Sequence, residues 1–388
     1  MRRIIVTLLM LMCLHIVHPS YGKDSELTEW RHQHEAGFIF RPGYILPTNG
    51  YYCGFNPLGI KLTDCASLAF QYSFAFSENT RYGRLFPSAR QGIGIGLYSF
   101  GSHEHIGTPL SLYIFQGATI ASLAERLTLD YEWNLGLSYG WVNKGKLTAT
   151  KANICLGGGF FLTWRPHPGL KLTIGPEFSH YSNGDTAFPN LGTNTLTVRT
   201  GASVAFGNRI ENQSGAGLFA SGNQIRSFAE RVTCDIVLAA GSRAGRFAYE
   251  GKIYEFNKSF PIALLSVNPV YHFNRCLSLG PSLDVTFDRS ADLIYAEDDG
   301  YALPSVSNQI GIGAGVRTEV RMNIFALNGG AGYSFCHNGS DLSGLYGIFG
   351  LKTFLGDRLF LNMTYILRSK RYTHNLTFGL GWRIGGGS

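Results

Sequence analysis

The sequence predicts an all-β fold, an antiparallel β-barrel that spans a membrane. Three observations carry this prediction. Segments of about ten residues alternate apolar with small or polar side chains, which is the pattern of membrane strands. The chain is rich in glycine (49 residues) and in aromatic residues (13%), and only 15% of it is charged. After residue 22, no apolar run is long enough to cross a bilayer as a helix.

The alternation recurs along most of the chain. It is clearest in residues 92–97, 310–316, 345–351, 359–366 and 376–382, where one face is apolar and the other is small or polar. A soluble exported β-sandwich could also alternate in this way. The glycine content and the aromatic residues near segment ends favour a membrane barrel, because a closed sheet satisfies every backbone polar group.

The alternation predicts the fold class but does not by itself fix the number of strands. We expect one large barrel of roughly 14 to 18 strands. The alternative is two halves, of which the second is a decayed copy of the first. A weak internal echo supports that alternative, because LTIGP at residues 172–176 resembles LSLGP at residues 277–281.

The first 22 residues predict a secretory signal peptide. Arg2 and Arg3 precede a run of apolar residues, and a small-residue exit follows it. The run is too short for a comfortable transmembrane helix, although a retained anchor helix is the alternative. The predicted organisation is a signal peptide at 1–22, a first half at 23–207, a polar loop at 208–227 and a second half at 228–388.

Charge and cysteine content limit the partners. The net charge of +7 is spread thinly and suggests contact with an acidic surface. The sequence has no Lys/Arg-dense stretch, so it gives no sign of nucleic-acid binding. Cys53 and Cys65 flank one loop and could form a disulfide, although spacing alone does not settle pairing. No CxxC spacing is present, and His103-Glu104-His105 offers too few ligands for a metal, so we expect neither a metal nor a cofactor.

One stretch, residues 180–194, carries the candidate chemistry. From residue 170 to residue 178 the even-numbered side chains are apolar, so the even face should meet lipid and the odd face the lumen. The same count places His180 and Ser182 on the lipid-facing side. On the next segment, the apolar parity of Leu196 places Asn194 there too. Long loops of bacterial barrels lie outside the cell, so this loop should open at the cell surface.

These residue types can form an esterase site. Residues two apart on a strand point the same way and lie about 6.6 Å apart along it. His180 could then take the proton of Ser182 as its hydroxyl attacks a carbonyl carbon. Asn194 could hold the other imidazole nitrogen. Asn190 and backbone N–H groups of its loop could stabilise the oxyanion. The plainer alternative is a solvated histidine at a loop mouth.

The run HYSNGDTAFPNLGTN, residues 180–194, resembles the signature of the outer-membrane lipid A 3-O-deacylases, also called acyloxyacyl hydrolase-like proteins. Residues 108–118 and 131–141 resemble longer members of that family, and the likeness covers about residues 37–207. The short enzymes of the family are eight-stranded barrels. The resemblance therefore implies a second architecture, an eight-stranded catalytic barrel followed by a second β half without esterase residues.

The resemblance also implies residue roles. The family's catalytic histidine falls on His180, its nucleophile on Ser182 and its oxyanion-supporting asparagine on Asn190, with Asn183 as a neighbouring support. The family's acidic triad residue falls on Asn194, which is a departure. An asparagine can orient a histidine but does not stabilise an imidazolium by charge.

Two acidic residues could replace the missing carboxylate. Asp185 lies in the same loop, and Glu177 lies on the preceding segment. Parity points Glu177 to the lumen, away from the other site residues.

The implied activity is hydrolysis of an ester-linked acyl chain of lipid A, with 3-O-deacylation as the family's reaction. The implied partners are lipopolysaccharide and the bacterial outer membrane; a homodimer is left open. A competing expectation is a non-enzymatic outer-membrane barrel, either a channel or a surface-binding protein.

Overall fold

The fold is seen in a computed structural model that describes residues 33–77, 80–142, 146–207, 231–297, 300–368 and 374–385. The predicted signal peptide and the predicted polar loop at 208–227 lie outside the described residues. Within them, sixteen strands pair in antiparallel fashion and close two separate barrels of eight strands each. The predicted all-β antiparallel barrel architecture is confirmed.

The first barrel closes because its first strand pairs with both its second and its last strand. A five-residue helix, α1 (Arg81–Leu85), precedes its third strand and is capped by the Thr80 hydroxyl. The strands are β1 (Gln33–Ile45), β2 (Asp64–Ala75), β3 (Arg90–Ser99), β4 (Gly107–Ala124), β5 (Leu127–Trp141), β6 (Ala152–His167), β7 (Leu170–Ser182) and β8 (Thr193–Gly207).

The second barrel closes in the same way, through pairing of its first strand with its second and its last. A short 3-10 helix, Val306–Gln309, precedes its fourth strand. The strands are β9 (Val232–Tyr249), β10 (Lys252–His272), β11 (Leu277–Asp288), β12 (Ile310–Met322), β13 (Phe325–His337), β14 (Gly344–Phe354), β15 (Leu359–Arg368) and β16 (Asn375–Gly385). None of the helices in the described ranges is long and apolar enough to cross a membrane.

The expectation of one barrel of 14 to 18 strands is therefore wrong, and the alternative of an eight-stranded barrel followed by a second β half is confirmed. Alternation shows which face of a strand meets lipid, but it does not show which two strands close the ring. Closure after eight strands leaves an interior that side chains can fill. The internal echo is not a repeat of equivalent strands, because residues 172–176 lie in the seventh strand of one barrel and residues 277–281 in the third strand of the other.

Charged side chains fill the lumen of the first barrel. Arg41 on β1 donates from Nε to Glu177 on β7 at 2.9 Å, and both side chains are 2% exposed. Arg199 on β8 pairs with Glu132 on β5 at 2.5 Å, and Arg90 lies 3.5 Å from the same carboxylate. Buried charges are tolerated when they are paired and hydrogen-bonded, so this network is what allows a polar interior to stay closed.

The lumen of the second barrel has its own network. Arg383 on β16 donates to Asp235 on β9 at 2.7 Å and to Glu319 on β12 at 2.9 Å. Lys352 on β14 lies 2.6 Å from Asp235 and 2.7 Å from Glu319. One cavity in each lumen holds about 30 Å³, which is room for little more than one water molecule.

The six cysteines of the described residues are free thiols, and the pairing considered for Cys53 and Cys65 is not formed. Cys65 is buried on β2, while Cys53 lies exposed in the loop after β1. A buried free cysteine acts here as a small apolar side chain.

Candidate active site

The outward face of β7 is apolar along its length and changes character at its end. Ile174 is 51% exposed and Phe178 is 44% exposed, whereas Glu177 between them is 2% exposed. Exposure thus alternates with a period of two, as it must when one face meets lipid and the other meets the lumen. His180 and Ser182 continue the outward parity and are both half-buried.

The residue between them is anchored inward. Tyr181 is 3% exposed, and its ring lies edge-on to Phe100 at 5.3 Å and to Tyr98 at 5.6 Å, measured between ring centroids. Trp141 lies 5.6 Å from it on another side. The aromatic cluster holds the Tyr181 side chain inward at the end of β7. Because side chains alternate along a strand, the flanking histidine and serine then face outward.

His180 is directly opposite Asn194 in the register of β7 and β8. The imidazole Nδ1 lies 2.7 Å from the Asn194 side-chain oxygen Oδ1. An amide oxygen only accepts, so this bond requires the tautomer with a proton on Nδ1. That tautomer leaves Nε2 with a lone pair, which is the state a general base needs.

Asn194 has two further partners, both in the loop between β1 and β2. Its Nδ2 donates to the Thr48 hydroxyl at 2.8 Å, and its backbone oxygen accepts from the Leu46 N–H at 2.8 Å. Thr48 was not identified in the sequence, since it lies far along the chain in a loop without periodicity. Only the closure of β1 against β8 brings it to the site.

The β7–β8 loop is folded onto its neighbours. The Asn190 side-chain oxygen accepts from the Asn183 N–H at 3.0 Å. The Ala149 N–H donates to the Pro189 oxygen at 2.7 Å, and the Leu191 N–H donates to the Leu147 oxygen at 3.0 Å. Oδ1 of Asn190 therefore closes the loop as an acceptor, and Nδ2 is the donor end of the same amide.

Gly192 is one position in this loop where glycine is required. Its φ is +71°, in the left-handed region, and an added Cβ would lie 3.3 Å from Cε1 of His180. Any other residue there would be strained and would press on the imidazole.

The Ser182 hydroxyl makes no hydrogen bond with another described residue in this structure, so the serine and histidine share a face without being bonded. Ser182 lies opposite Ile154 of β6, two register positions beyond the pair of His180 with Leu156. Hydrogen bonds between catalytic groups are often unformed before substrate binds, so the absence of this bond does not exclude the pair from catalysis.

Glu177, one of the two acidic alternatives, is not brought to the imidazole. Glu177 is in the lumen, where it accepts from Arg41 and from Nδ2 of Asn134 at 3.2 Å.

The two histidines of the His103-Glu104-His105 segment bond to nearby hydroxyls. Nδ1 of His103 lies 2.7 Å from Thr108 Oγ1, and Nδ1 of His105 lies 3.2 Å from Ser102 Oγ.

An eight-stranded antiparallel barrel with an apolar outer wall and a polar filled lumen defines an integral β-barrel protein of the outer-membrane type. Two family models match the chain. Residues 133–203 match "Lipid A 3-O-deacylase (PagL)", and residues 232–386 match "Acyloxyacyl hydrolase, C-terminal domain". Together they cover more than half of the chain, which belongs to the PagL and acyloxyacyl hydrolase family. It is therefore an outer-membrane hydrolase of the lipid A deacylase family.

Solved structures of outer-membrane barrels align with the chain at low identity. The crystal structure of Neisserial surface protein A (NspA) aligns over 45% of this chain and 97% of its own, with 10% identity and a TM-score of 0.31. The Ralstonia pickettii toluene transporter TbuX aligns over 93% of this chain and 90% of its own, with 11% identity and a TM-score of 0.18. Among curated proteins, no sequence matched significantly.

Proposed function

We propose that the first barrel hydrolyses the 3-O-linked acyl ester of lipid A with a serine–histidine site on its lipid-facing wall. Ser182 is the nucleophile, His180 the general base, and Asn194 orients the imidazole. The observation that carries the proposal is the bond from His180 Nδ1 to Asn194 Oδ1, at 2.7 Å, on the face shared with Ser182. It prepares Nε2 to accept a proton where a lipid ester can approach.

The reaction proceeds in two halves, acylation of Ser182 and hydrolysis of the acyl-enzyme. The Ser182 hydroxyl oxygen attacks the ester carbonyl carbon while its proton passes to Nε2 of His180. The tetrahedral intermediate then collapses: the bond to the sugar oxygen breaks, and Nε2 returns the proton to that leaving oxygen. In the second half the imidazole takes a proton from water, and the water oxygen attacks the acyl carbon. The bond to the Ser182 oxygen then breaks and Nε2 returns the proton to that oxygen, so the serine hydroxyl is regenerated and the products are a free fatty acid and a sugar hydroxyl.

The negative oxygen of each intermediate needs donors. Asn190 presents Nδ2 from a loop that is closed through its own Oδ1 and the Asn183 N–H. Backbone N–H groups of this loop add to it. Donors held rigidly before the reaction stabilise developing charge without reorganisation, which is why such groups are often the largest single contribution to catalysis.

The position of the site favours a lipid ester as substrate. A soluble ester would have to enter the bilayer edge, whereas the acyl chains of lipid A already lie beside the outer wall of the barrel. The wall below the site is apolar, with Ile174, Phe178, Leu196 and Val198 all between 44% and 51% exposed. The 3-O position itself is supported by the description of the matching family model. A homodimer stays a prediction.

The lumens do not favour the channel alternative. A conducting barrel needs a continuous aqueous path, but here ion pairs join distant strands across each interior, as between Arg199 and Glu132 in one and between Arg383 and Glu319 in the other. We expect the purified protein in planar bilayers to show no stepwise single-channel conductance. Regular conductance steps would favour the channel.

Mass spectra of lipid A test the proposal. Cells expressing the wild-type chain should lose one hydroxyacyl group from the 3-O position, while cells expressing Ser182→Ala should keep it. Ser278→Ala is a matched control, because Ser278 is a buried serine of β11 in the second barrel. Identical spectra for wild type and Ser182→Ala would overturn the proposal. Loss of a different acyl chain would overturn only the positional assignment.

A further inference from the structure

Three side chains from three elements form a line that ends in the β1–β2 loop. His180 of β7 bonds through Nδ1 to Oδ1 of Asn194 on β8 at 2.7 Å. Asn194 in turn donates from Nδ2 to Oγ1 of Thr48 at 2.8 Å. Each end of the asparagine amide therefore has its own partner, and the catalytic machinery described above uses only the first.

An amide has two unlike ends, so its orientation matters. When His180 takes the serine proton, both ring nitrogens carry hydrogen, and Nδ1–H needs an acceptor. Only one orientation of Asn194 supplies it, the one with Oδ1 toward the ring. In that orientation Nδ2 must donate on its other side, and Thr48 provides the accepting hydroxyl there. A carboxylate at this position would not need such help, since both of its oxygens accept.

The position of Thr48 is fixed without its hydroxyl. The Thr48 N–H donates to the Leu46 oxygen at 2.8 Å, and the Leu46 N–H donates to the Asn194 oxygen at 2.8 Å. The adjacent Asn49 donates from Nδ2 to the oxygens of Gly192 at 2.8 Å and Leu191 at 3.1 Å. Backbone and neighbouring bonds thus hold the loop, so removal of the hydroxyl alone should leave the loop in place.

We propose that Thr48 is a positioning residue of the esterase site, which holds the Asn194 amide with its oxygen toward His180 and so lets an asparagine serve where an acidic residue is expected. This inference rests on the proposed function. Its contribution is greatest in the transition state, when the imidazole is charged, so it should act on kcat and leave KM nearly unchanged.

Replacement of the hydroxyl tests the inference. In the full chain, with lipid A in detergent micelles as substrate, Thr48→Val should lower kcat roughly three- to tenfold, the effect of losing one net hydrogen bond. Thr48→Ser, which keeps the hydroxyl, should retain most of the wild-type kcat. Thr63→Val is the matched control: Thr63 lies in the same loop, bonds to Asp64 and has no bond to Asn194.

A second background separates orientation from mere packing. Asn194→Asp offers two equivalent oxygens, so Thr48→Val in that background should change kcat less than twofold. An unchanged kcat for Thr48→Val in the native background would overturn the inference, as would an equal loss in both backgrounds. An equal loss of kcat in Thr48→Ser and Thr48→Val would also overturn it.

One measurement is independent of turnover. Nitrogen-15 NMR of histidine side chains in micelles reports which ring nitrogen of His180 carries hydrogen, and Thr48→Val should reduce the Nδ1–H form relative to wild type. An unchanged tautomer population would count against Thr48 even if the protein proved inactive. Inactivity of the wild-type chain, by contrast, would overturn the proposed function and not this hydrogen-bond assignment.

Discussion

Each barrel contains a histidine and a serine on one face of its wall, and the proposed reaction uses only the pair in the first barrel. In the second barrel His272 Nδ1 lies 2.6 Å from Ser278 Oγ, and its Nε2 lies 2.9 Å from Thr233 Oγ1. In the first barrel Ser182 and His180 are not hydrogen-bonded, yet both lie on the outer wall. The bonded pair faces the lumen, where Ser278 is only 2% exposed.

Under the proposed function, the face of the strand matters more than a hydrogen bond already formed between the two side chains. Each ring nitrogen of His272 is hydrogen-bonded to a hydroxyl, so both nitrogens are occupied inside the polar lumen. His180 has Nδ1 held by Asn194 and lies on the outward face of β7, where it is half-buried. A polar group on a lipid-facing wall is costly, and its presence there is more readily explained by a function than by stability.

Exchange of each histidine for glutamine should give the largest contrast. His180→Gln removes the only base of the proposed reaction, so the rate of acyl release should fall about a thousandfold. His272→Gln should leave kcat within about twofold and reduce stability by about 1–3 kcal/mol, because two buried hydroxyls lose a partner. Acyl release and thermal unfolding in micelles measure the two effects. Equal losses of rate in both variants would remove the distinction between the two faces.

The oxyanion role of Asn190 predicts the next largest effect. Asn190→Ala should lower kcat about a hundredfold, with little change in KM. Asn190→Asp keeps the oxygen that accepts from the Asn183 N–H but lacks the amide donor, so it should be at least as slow. A nearly normal rate for Asn190→Asp would mean that Asn190 only closes the loop.

The lumen network predicts an effect on stability and almost none on chemistry. Arg41→Leu leaves Glu177 buried without its 2.9 Å partner and should cost about 3–5 kcal/mol of stability. The melting temperature should fall by on the order of 10 °C, while the folded fraction keeps its kcat. If kcat fell a hundredfold in protein shown to be folded, the lumen would be part of the catalytic machinery after all.

The face of each site residue could be predicted from the sequence because strands have a strict period of two. The even-numbered apolar residues that lead to Phe178 placed His180 and Ser182 outward, and the parity of Leu196 did the same for Asn194. The alternation alone could not predict strand closure, since the pairing of β8 with β1 joins residues 150 or more positions apart and leaves no local signal. Thr48 was missed for the same reason.

Acyl release from lipid A by three purified proteins, wild type, Ser182→Ala and Ser278→Ala, decides which face of the barrel wall carries the chemistry. Wild type and Ser278→Ala should release the same fatty acid at the same rate. Ser182→Ala should release none above background. Undiminished release by Ser182→Ala, or a loss confined to Ser278→Ala, would contradict the assignment of catalysis to the lipid-facing wall of the first barrel.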